Sequence, residues 1–319
     1  MDEFTLINKY LKSLSKNNES ALNLSDDIFF DNKNKVAISV DTFVEGIHFL
    51  DSNNPDKFLK KIFRASLSDL YCKGIKPNFY FLSFALNKKL VKPFWLNKVY
   101  KILKSEQKKF DVMLSGGDIT ASSKLVITIT VLGYSKNKPV FRSKCLINDD
   151  IYVTGDIGDS YVGLNVIKSK LNFGKYNNFF KKKYYEPALQ IKSPLYLNKI
   201  ASSSIDISDG LGQDLSHLCQ ISRLGAFVNI NDLPLSFQCR KLVNKKKISL
   251  TKIFSQGDDY QILFTSSAKN RSKIIFLMKK YKVKISRIGF IKKDKSMIFK
   301  YKTKEFKINP NKMGYIHNF

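Results

Sequence analysis

The 319-residue sequence lacks most of the features that mark membrane, secreted and metal-thiolate proteins. No run approaches 18 apolar residues, so no transmembrane helix is expected. The first residues, Met1-Asp2-Glu3-Phe4, are not a basic segment followed by an apolar one, which argues against a signal peptide and favours the cytoplasm. The four cysteines are far apart and form no CxxC pair, which argues against a zinc site, a redox motif or a disulfide framework.

The common nucleotide-binding and hydrolase motifs are also missing. The only Gly-Lys pair is Gly174-Lys175, and the tyrosine that follows it rules out a GxxxxGK[ST] phosphate loop. Neither GxGxxG nor the HRD and DFG sets of protein kinases occur. The three histidines have no metal-ligand spacing. Zinc and serine-hydrolase chemistry are therefore not expected.

Arginine is scarce although the chain is strongly basic. Lysine and arginine total 55 against 27 acidic residues, a net charge of +28, yet only six of these bases are arginine. Proteins that recognise the edges of nucleic-acid bases, or that bind phosphate through two hydrogen bonds, favour arginine for these contacts. Lysine is instead spread through every segment, as expected for generic solvent positions, so no specific nucleic-acid binding is predicted. A basic nucleic-acid-binding scaffold stays open as an alternative.

Helical and strand-like patterns alternate along both halves of the sequence. Helices are predicted over 4–14, 55–70, 93–110, 159–168, 187–200, 211–222 and 268–281. Strands are predicted over 36–41, 79–86, 111–114, 124–134, 151–156, 226–230, 260–265 and 283–291. Several strands adjoin other strands, so the prediction is a mixed α/β (α+β) fold. Polar stretches between 135 and 150 indicate two domains, 1–145 and 146–319.

In so basic a chain the carboxylates are the informative residues. Short acidic patches contain Asp26, Asp27, Asp41, Asp69, Asp118, Asp206, Asp209, Asp258 and Asp259. Several of them directly follow an apolar strand, where sites usually open. One such patch alone is more often a loop or a helix N-cap. Several gathered in one cleft would repel each other unless a cation neutralised them, and oxygen-only clusters suit Mg²⁺. The pattern predicts a shared metal site.

Taken in order, the patches resemble the thiamine-monophosphate kinase family. The resemblance rests on Ser25-Asp26-Asp27, on the string from Ser39 to Phe49 (SVDTFVEGIHF), on Leu67-Ser68-Asp69-Leu70, on Gly116-Gly117-Asp118, on Asp206-Ile207-Ser208-Asp209-Gly210-Leu211, on Gly257-Asp258-Asp259-Tyr260 and on Gly314-Tyr315. It covers about 4–319. The Gly-Gly-Asp and DISDGL pieces are shared more widely, with aminoimidazole ribonucleotide synthetase and selenophosphate synthetase.

The resemblance implies two α/β domains and a homodimer formed through the mixed, helix-backed sheets of the N-terminal domains. The C-terminal domain, α/β and sandwich-like, would complete the active site. The implied activity is Mg²⁺-dependent transfer of the ATP γ-phosphoryl group to thiamine monophosphate, giving thiamine diphosphate and ADP. Because the acceptor is already an anionic phosphate, no general base is needed and no phosphoenzyme is expected.

The resemblance also implies roles for individual residues. The expected Mg²⁺ ligands are Asp27, Ser39, Val40 (through its carbonyl), Asp41, Asp69, Asp118, Asp206 and Asp209. ATP would contact Gly117, Asp118, Arg142 and Ser208, and thiamine monophosphate would contact His48, Asp258 and Tyr315. Asp41, Asp69, Asp118 and Arg142 would act in catalysis. Structural alternatives are a cap on the Gly46 turn for His48 and closure of the core for Tyr315.

The sequence departs from the family pattern at a few positions. Val40 stands where threonine is common, Asn23-Leu24-Ser25 replaces a glycine-bearing segment, and Gln256 and Gln261 replace Gly and Glu. None of these removes an expected carboxylate ligand. A sister ATP-dependent enzyme remains an alternative, but the selenophosphate type would carry a reactive cysteine in a glycine-rich N-terminal segment. Here no cysteine precedes Cys72.

Overall fold

A computed structural model describes residues 1–307 and residue 314. It contains two sheets flanked by helices, which confirms the predicted mixed α/β class. The first sheet comprises β1 (Phe29–Asp31), β2 (Val36–Val44), β3 (Phe79–Leu86), β4 (Met113–Ala121) and β5 (Val126–Tyr134). Its order is β1-β2-β5-β3-β4, with only the β3–β4 pair parallel.

One face of the first sheet is a core and the other is open. Alternate residues of β5, Ile127, Ile129 and Val131, are fully buried, as period-2 alternation requires. They pack beneath α2 (Leu59–Cys72) and α3 (Pro93–Phe110). The opposite face and the edge strand carry exposed apolar side chains, among them Val40 and Ile119, which are 62% and 72% exposed.

Within residues 1–307, the second sheet contains seven strands in the order β12-β11-β8-β10-β6-β9-β7. These are β6 (Asp150–Thr154), β7 (Ser203–Asp206), β8 (Gly225–Asn229), β9 (Ile262–Ser266), β10 (Ile285–Lys292), β11 (Met297–Tyr301) and β12 (Lys304–Lys307). The remaining helices are α1 (Glu3–Leu6, continued irregularly to Ser15), α4 (Asp159–Ile167), α5 (Asn177–Tyr185), α6 (Leu211–Ser222), α7 (Phe237–Asn244), α8 (Leu250–Phe254) and α9 (Arg271–Tyr281). Among the described residues, none of the helices is both long enough and apolar enough to cross a bilayer.

Helix α2 joins the two sheets. Its C-terminal half packs on β7, the edge strand of the second sheet. The Ser204 hydroxyl donates to the Cys72 carbonyl at 2.5 Å, and the Ser193 hydroxyl donates to the Tyr71 carbonyl at 2.6 Å. The end of α2 therefore lies where side chains from both sheets can meet.

Two predictions of secondary structure were wrong. The helix predicted over 187–200 is a pair of short 3-10 turns, Ser193–Leu195 and Leu197–Lys199, because Pro194 cannot donate a helical hydrogen bond. The Gly-Gly-Asp patch lies inside β4 and not after a short strand ending at Leu114. A Cβ on Gly117 would lie 1.9 Å from the Leu82 carbonyl oxygen, so glycine is required there for β4 to pair with β3.

Candidate active site

Four predicted carboxylates converge near the end of α2. Asp41 comes from β2, Asp69 from α2, Asp206 from the end of β7 and Asp27 from the segment before β1. One oxygen of Asp27 and one of Asp206 lie within 4.8 Å of each other and of the Cys72 sulfur. The predicted gathering of these acids is present in the fold.

Serine hydroxyls orient three of these carboxylates. The Ser39 hydroxyl donates to Asp69 Oδ2, and the Ser68 hydroxyl donates to Asp206 Oδ2 at 2.6 Å. Ser66 on α2 is hydrogen-bonded to Asp41, so the Asp41 side chain lies on the helix-covered face of the first sheet. These contacts fix the carboxylates before any ligand binds.

The converging carboxylates destabilise one another when ionised. Burial and the neighbouring Asp27 raise the pKa of Asp206 to about 7 and that of Asp41 to about 6. Burial, Asp41 and Asp206 raise the pKa of Asp69 well above its usual range. Neutralisation by a cation would relieve this repulsion. The donors are mostly hard oxygens, which fit Mg²⁺.

Asp27 differs from the other three because the chain supplies it with cations. Burial alone would raise its pKa, but Arg142 and Lys73 outweigh burial and lower it to about 2. The Arg142 guanidinium donates to Asp27 Oδ1, and the Arg142 backbone N–H donates to Asp26 Oδ2 at 2.8 Å. Arg142 therefore lies at the cluster, in contact with Asp27.

Asp209 lies in a second group with Asp214 and His217, whose ligand atoms are also within 4.8 Å of one another. Burial raises the pKa of Asp209 to about 7, and burial lowers that of His217 to about 4. Asp214 Oδ2 accepts the Gly210 N–H at 3.1 Å. The sequence prediction included Asp209 alone, although Asp214 and His217 are three residues apart on α6 and so share one face of that helix.

Asp258 lies in a tight turn against Ser208. The Asp258 N–H donates to the Ser208 carbonyl at 2.8 Å, and a Cβ on Gly257 would lie 1.9 Å from that oxygen. The Asp258 carboxylate accepts from Lys61 Nζ on α2 at 2.7 Å and from the Tyr260 hydroxyl at 3.0 Å. Ser208 and Asp258, with predicted roles in binding ATP and substrate, are therefore neighbours. Lys61, which no sequence pattern indicated, holds the Asp258 carboxylate.

The remaining predicted residues lie apart from the cluster or outside the described residues. Gly117 and Asp118 lie in β4, all nine residues of which are exposed. His48 Nδ1 accepts the Val44 N–H at 3.0 Å, which is the capping contact considered as its structural alternative. The Val40 side chain lies on the open face of the first sheet. Tyr315 is outside the described residues.

Comparison with known proteins identifies the relatives of this chain. Residues 21–135 match the family model "AIR synthase related protein, N-terminal domain". The chain is 35% identical over 299 residues to a thiamine-monophosphate kinase of Buchnera aphidicola subsp. Schizaphis graminum, covering 91% of both chains. It is 33% identical over 299 residues to that of Haemophilus influenzae, covering 91% of this chain and 89% of the relative.

Solved structures show the same fold. The structure described as "AaThiL complexed with AMPPCP and TMP" superposes with a TM-score of 0.84 at 23% identity, covering 99% of this chain and 97% of the other. The thiamine monophosphate kinase of Aquifex aeolicus gives a TM-score of 0.81 at 24% identity, covering 94% and 97%. A HypE–HypF complex gives 0.72 at 15% identity, covering 95% and 99%.

Proposed function

The chain belongs to the thiamine-monophosphate kinase family, and on that premise we propose that its buried carboxylates hold Mg²⁺ during phosphoryl transfer from ATP to thiamine monophosphate. The observation that carries the proposal is the convergence of Asp41, Asp69 and Asp206, which serine hydroxyls orient and whose pKa values are raised by burial and by neighbouring carboxylates. Their oxygens would bind Mg²⁺, which would neutralise charge on the phosphates.

The chemistry of the acceptor explains the residues at this site. A phosphate oxygen of thiamine monophosphate attacks the γ-phosphorus of ATP, the bond to the bridging oxygen breaks, and ADP leaves. The attacking oxygen is already anionic, so no side chain has to remove a proton. The residues therefore position the phosphates and neutralise their charge. Arg142, whose side chain is 21% exposed beside Asp27, would contribute a fixed positive charge.

Two groups would hold the nucleotide and the acceptor. Ser208 and Gly117 with Asp118 are proposed to contact ATP, and Asp258, His48 and Tyr315 are proposed to contact thiamine monophosphate. Asp258 lies beside Ser208, which would bring acceptor and nucleotide together. Asp258→Asn and Tyr315→Ala should each raise the KM for thiamine monophosphate several-fold and leave the KM for ATP nearly unchanged. Parallel changes in both constants would contradict these contacts.

A homodimer through the first sheet is also proposed. The open sheet face and the exposed edge strand β4 present apolar side chains to solvent, Val40 and Ile119 among them. An unpaired edge of this kind readily pairs with a second chain. A cytoplasmic location is proposed because all four cysteines are buried, unpaired thiols, which suits a reducing compartment.

An ADP-release assay tests the activity. Thiamine monophosphate, thiamine and an aminoimidazole ribonucleotide precursor are offered in parallel with Mg-ATP. Release that depends on thiamine monophosphate and stops with EDTA is expected. Release with the aminoimidazole precursor alone would favour a sister enzyme, and release that persists in EDTA would contradict the Mg²⁺ assignment.

A further inference from the structure

A buried lysine lies among the carboxylates of the proposed metal site. The Lys73 side chain is 0% exposed at the C-terminal end of α2. Its ammonium group contacts Asp26 Oδ1 at 2.9 Å, Asp27 Oδ2 at 2.5 Å and the Ser204 carbonyl oxygen at 2.7 Å. An ammonium group has three donors, and three oxygens accept from it here. Lys73 is therefore a fully coordinated internal cation.

Both oxygens of Asp27 face cations that belong to the chain. Lys73 contacts Oδ2, while the Arg142 guanidinium donates to Oδ1. A divalent ion at Asp27 would have to displace or crowd one of these groups. Asp41, Asp69 and Asp206 are different, because each is oriented by a serine hydroxyl, a neutral group. The cluster thus has one carboxylate neutralised by the chain and three that are not.

We propose that the Lys73 ammonium takes the place of one divalent cation at Asp27, so that Asp27 positions Lys73 and Arg142 and does not ligate Mg²⁺. This inference rests on the proposed function, since it concerns the same cluster. It removes Asp27 from the predicted Mg²⁺ ligands and leaves Asp41, Asp69 and Asp206 as the carboxylates of this cluster that would bind the ion. It also makes the number of divalent ions per chain depend on the residue at position 73.

The test counts bound metal. Mn²⁺ bound per chain is measured by equilibrium dialysis with a non-hydrolysable ATP analogue, for the wild type and for Lys73→Met and Lys73→Gln. Without the ammonium, Asp26 and Asp27 are left with an uncompensated charge, and each variant should bind one more Mn²⁺ than the wild type. Mn²⁺ should also raise the Tm of the variants more than that of the wild type, because an added site stabilises the folded state.

Two variants serve as controls. Lys73→Arg keeps the positive charge and should keep the wild-type count. Lys76→Met makes the same substitution three residues away, where the lysine is 45% exposed and pairs with an 84% exposed Asp111. It should also leave the count unchanged, which separates loss of the buried cation from loss of any lysine.

The outcomes distinguish this inference from the proposed function. Equal Mn²⁺ counts in the wild type and both neutral variants would overturn the role of Lys73 while leaving the metal site intact. If the neutral variants fail to fold, Asp27→Asn decides, since it should keep the wild-type count and a lost ion would overturn the inference. A wild type that binds no more Mn²⁺ than the free nucleotide does would instead refute the Mg²⁺ site itself.

Discussion

The aspartates of this site have pKa values shifted in opposite directions, and the neighbours of each carboxylate explain the difference. Asp27 has a pKa of about 2 because Arg142 and Lys73 outweigh the effect of burial. Asp206 has a pKa of about 7 because burial and Asp27 act together. A carboxylate of the second kind is costly to keep ionised unless a ligand neutralises it. Within this cluster, Asp41, Asp69 and Asp206 are therefore the carboxylates expected to bind metal.

Substitution of Asp69 should lower the activity of the enzyme and at the same time raise the stability of the metal-free protein. Asp69→Asn should lower kcat by on the order of 10²–10³, since a fixed charge-stabilising group is removed from the transition state. It should raise the Tm of the metal-free protein, because Asp41 and Asp206 lose a like-charged neighbour. Turnover at saturating Mg²⁺ and thermal melts in EDTA provide the two measurements.

Asp51→Asn is the matched control for that substitution. Asp51 is half-exposed and pairs with Lys57 at 3.4 Å on the surface, where an ion pair contributes little. Turnover and Tm should both stay near the wild type. Near-normal turnover of Asp69→Asn would remove Asp69 from the metal site.

At the scale of elements, a buried ion pair fastens α2, which carries Asp69 and ends next to Lys73, to α3. Arg64 Nε and Nη2 donate to the two oxygens of Glu106 at 2.7 and 2.9 Å, and both side chains are 3% exposed. Arg64 Nη1 also donates to the Pro187 carbonyl at 3.1 Å. Every charge in this contact is paired, so removing one partner leaves the other buried and uncompensated.

Arg64→Met should therefore destabilise the protein by about 3–5 kcal/mol, measured by denaturant unfolding. The double variant Arg64→Met/Glu106→Leu should recover most of that loss, because no unpaired charge remains. A loss below about 1 kcal/mol in the single variant would show that solvent reaches Glu106.

Elements with strong periodicity were predictable from the sequence. The strand Phe79–Leu86 and the helices Pro93–Phe110 and Leu211–Ser222 have the predicted bounds, since apolar residues recur at the right period and Pro93 starts its helix. Short elements were missed: β1, α7, α8, β11 and β12 contain too few residues for a period to show. Helix α5 was not predicted because a run of lysines separates its buried apolar residues, Phe180 and Tyr184, and obscures the helical period.

The site was predictable where chemistry follows from residue type, and not where it depends on packing. Asp41 and Asp206 follow short apolar runs, which a sequence reveals, although β2 continues beyond Asp41 to Val44. Lys73 is one of many lysines in the chain, and only the fold shows that its side chain is fully buried among oxygens. The Gly-Gly-Asp motif grouped Asp118 with the other acids, but Asp118 lies in β4, which two strands separate from β2 and Asp41.

Across the whole molecule, the raised carboxyl pKa values predict a stability that depends on pH and on metal. Asp206 and Asp209 titrate near pH 7 and Asp41 near pH 6 in the folded state, above their unfolded value. The folded protein thus binds more protons than the unfolded chain between about pH 7 and pH 4, so its stability rises as pH falls through that window. His217, with a pKa of about 4, opposes this below about pH 6.5, and carboxylates with lowered pKa, such as Asp27 and Asp150, oppose it only below about pH 5.

In EDTA, the Tm should therefore be several degrees higher at about pH 5.5 than at about pH 7.5. Saturating Mg²⁺ should raise the Tm more at the higher pH, where the carboxylates are ionised and bind metal without losing protons. Calorimetric or fluorescence melts measure all four conditions. An Mg²⁺ effect that is larger at the lower pH would contradict the assignment of these carboxylates.

The position of Asp118 makes a prediction about the assembly. Asp118 pairs with Ser83, Ser83 with Thr128, and Thr128 with Thr42, the neighbour of Asp41. Three strand spacings, about 14 Å, therefore separate Asp118 from β2. The Asp41 side chain also faces α2, on the other side of the sheet. Ligands of one Mg²⁺ ion lie at most roughly 4 Å apart, so these two carboxylates of one chain cannot share an ion.

If Asp118 acts in catalysis, it then acts in the site of a second copy of the chain. Asp69→Asn and Asp118→Asn homodimers should each be nearly inactive, yet a heterodimer of the two would contain one site with both aspartates intact. Co-expressing the variants at equal levels should therefore restore about a quarter of wild-type activity, since half of the dimers are mixed and each has one good site. Two aspartates serving the same protomer's site would give no recovery, because every site in every dimer would carry a defect. Full activity of Asp118→Asn alone would show instead that the exposed Gly-Gly-Asp strand takes no part in the reaction.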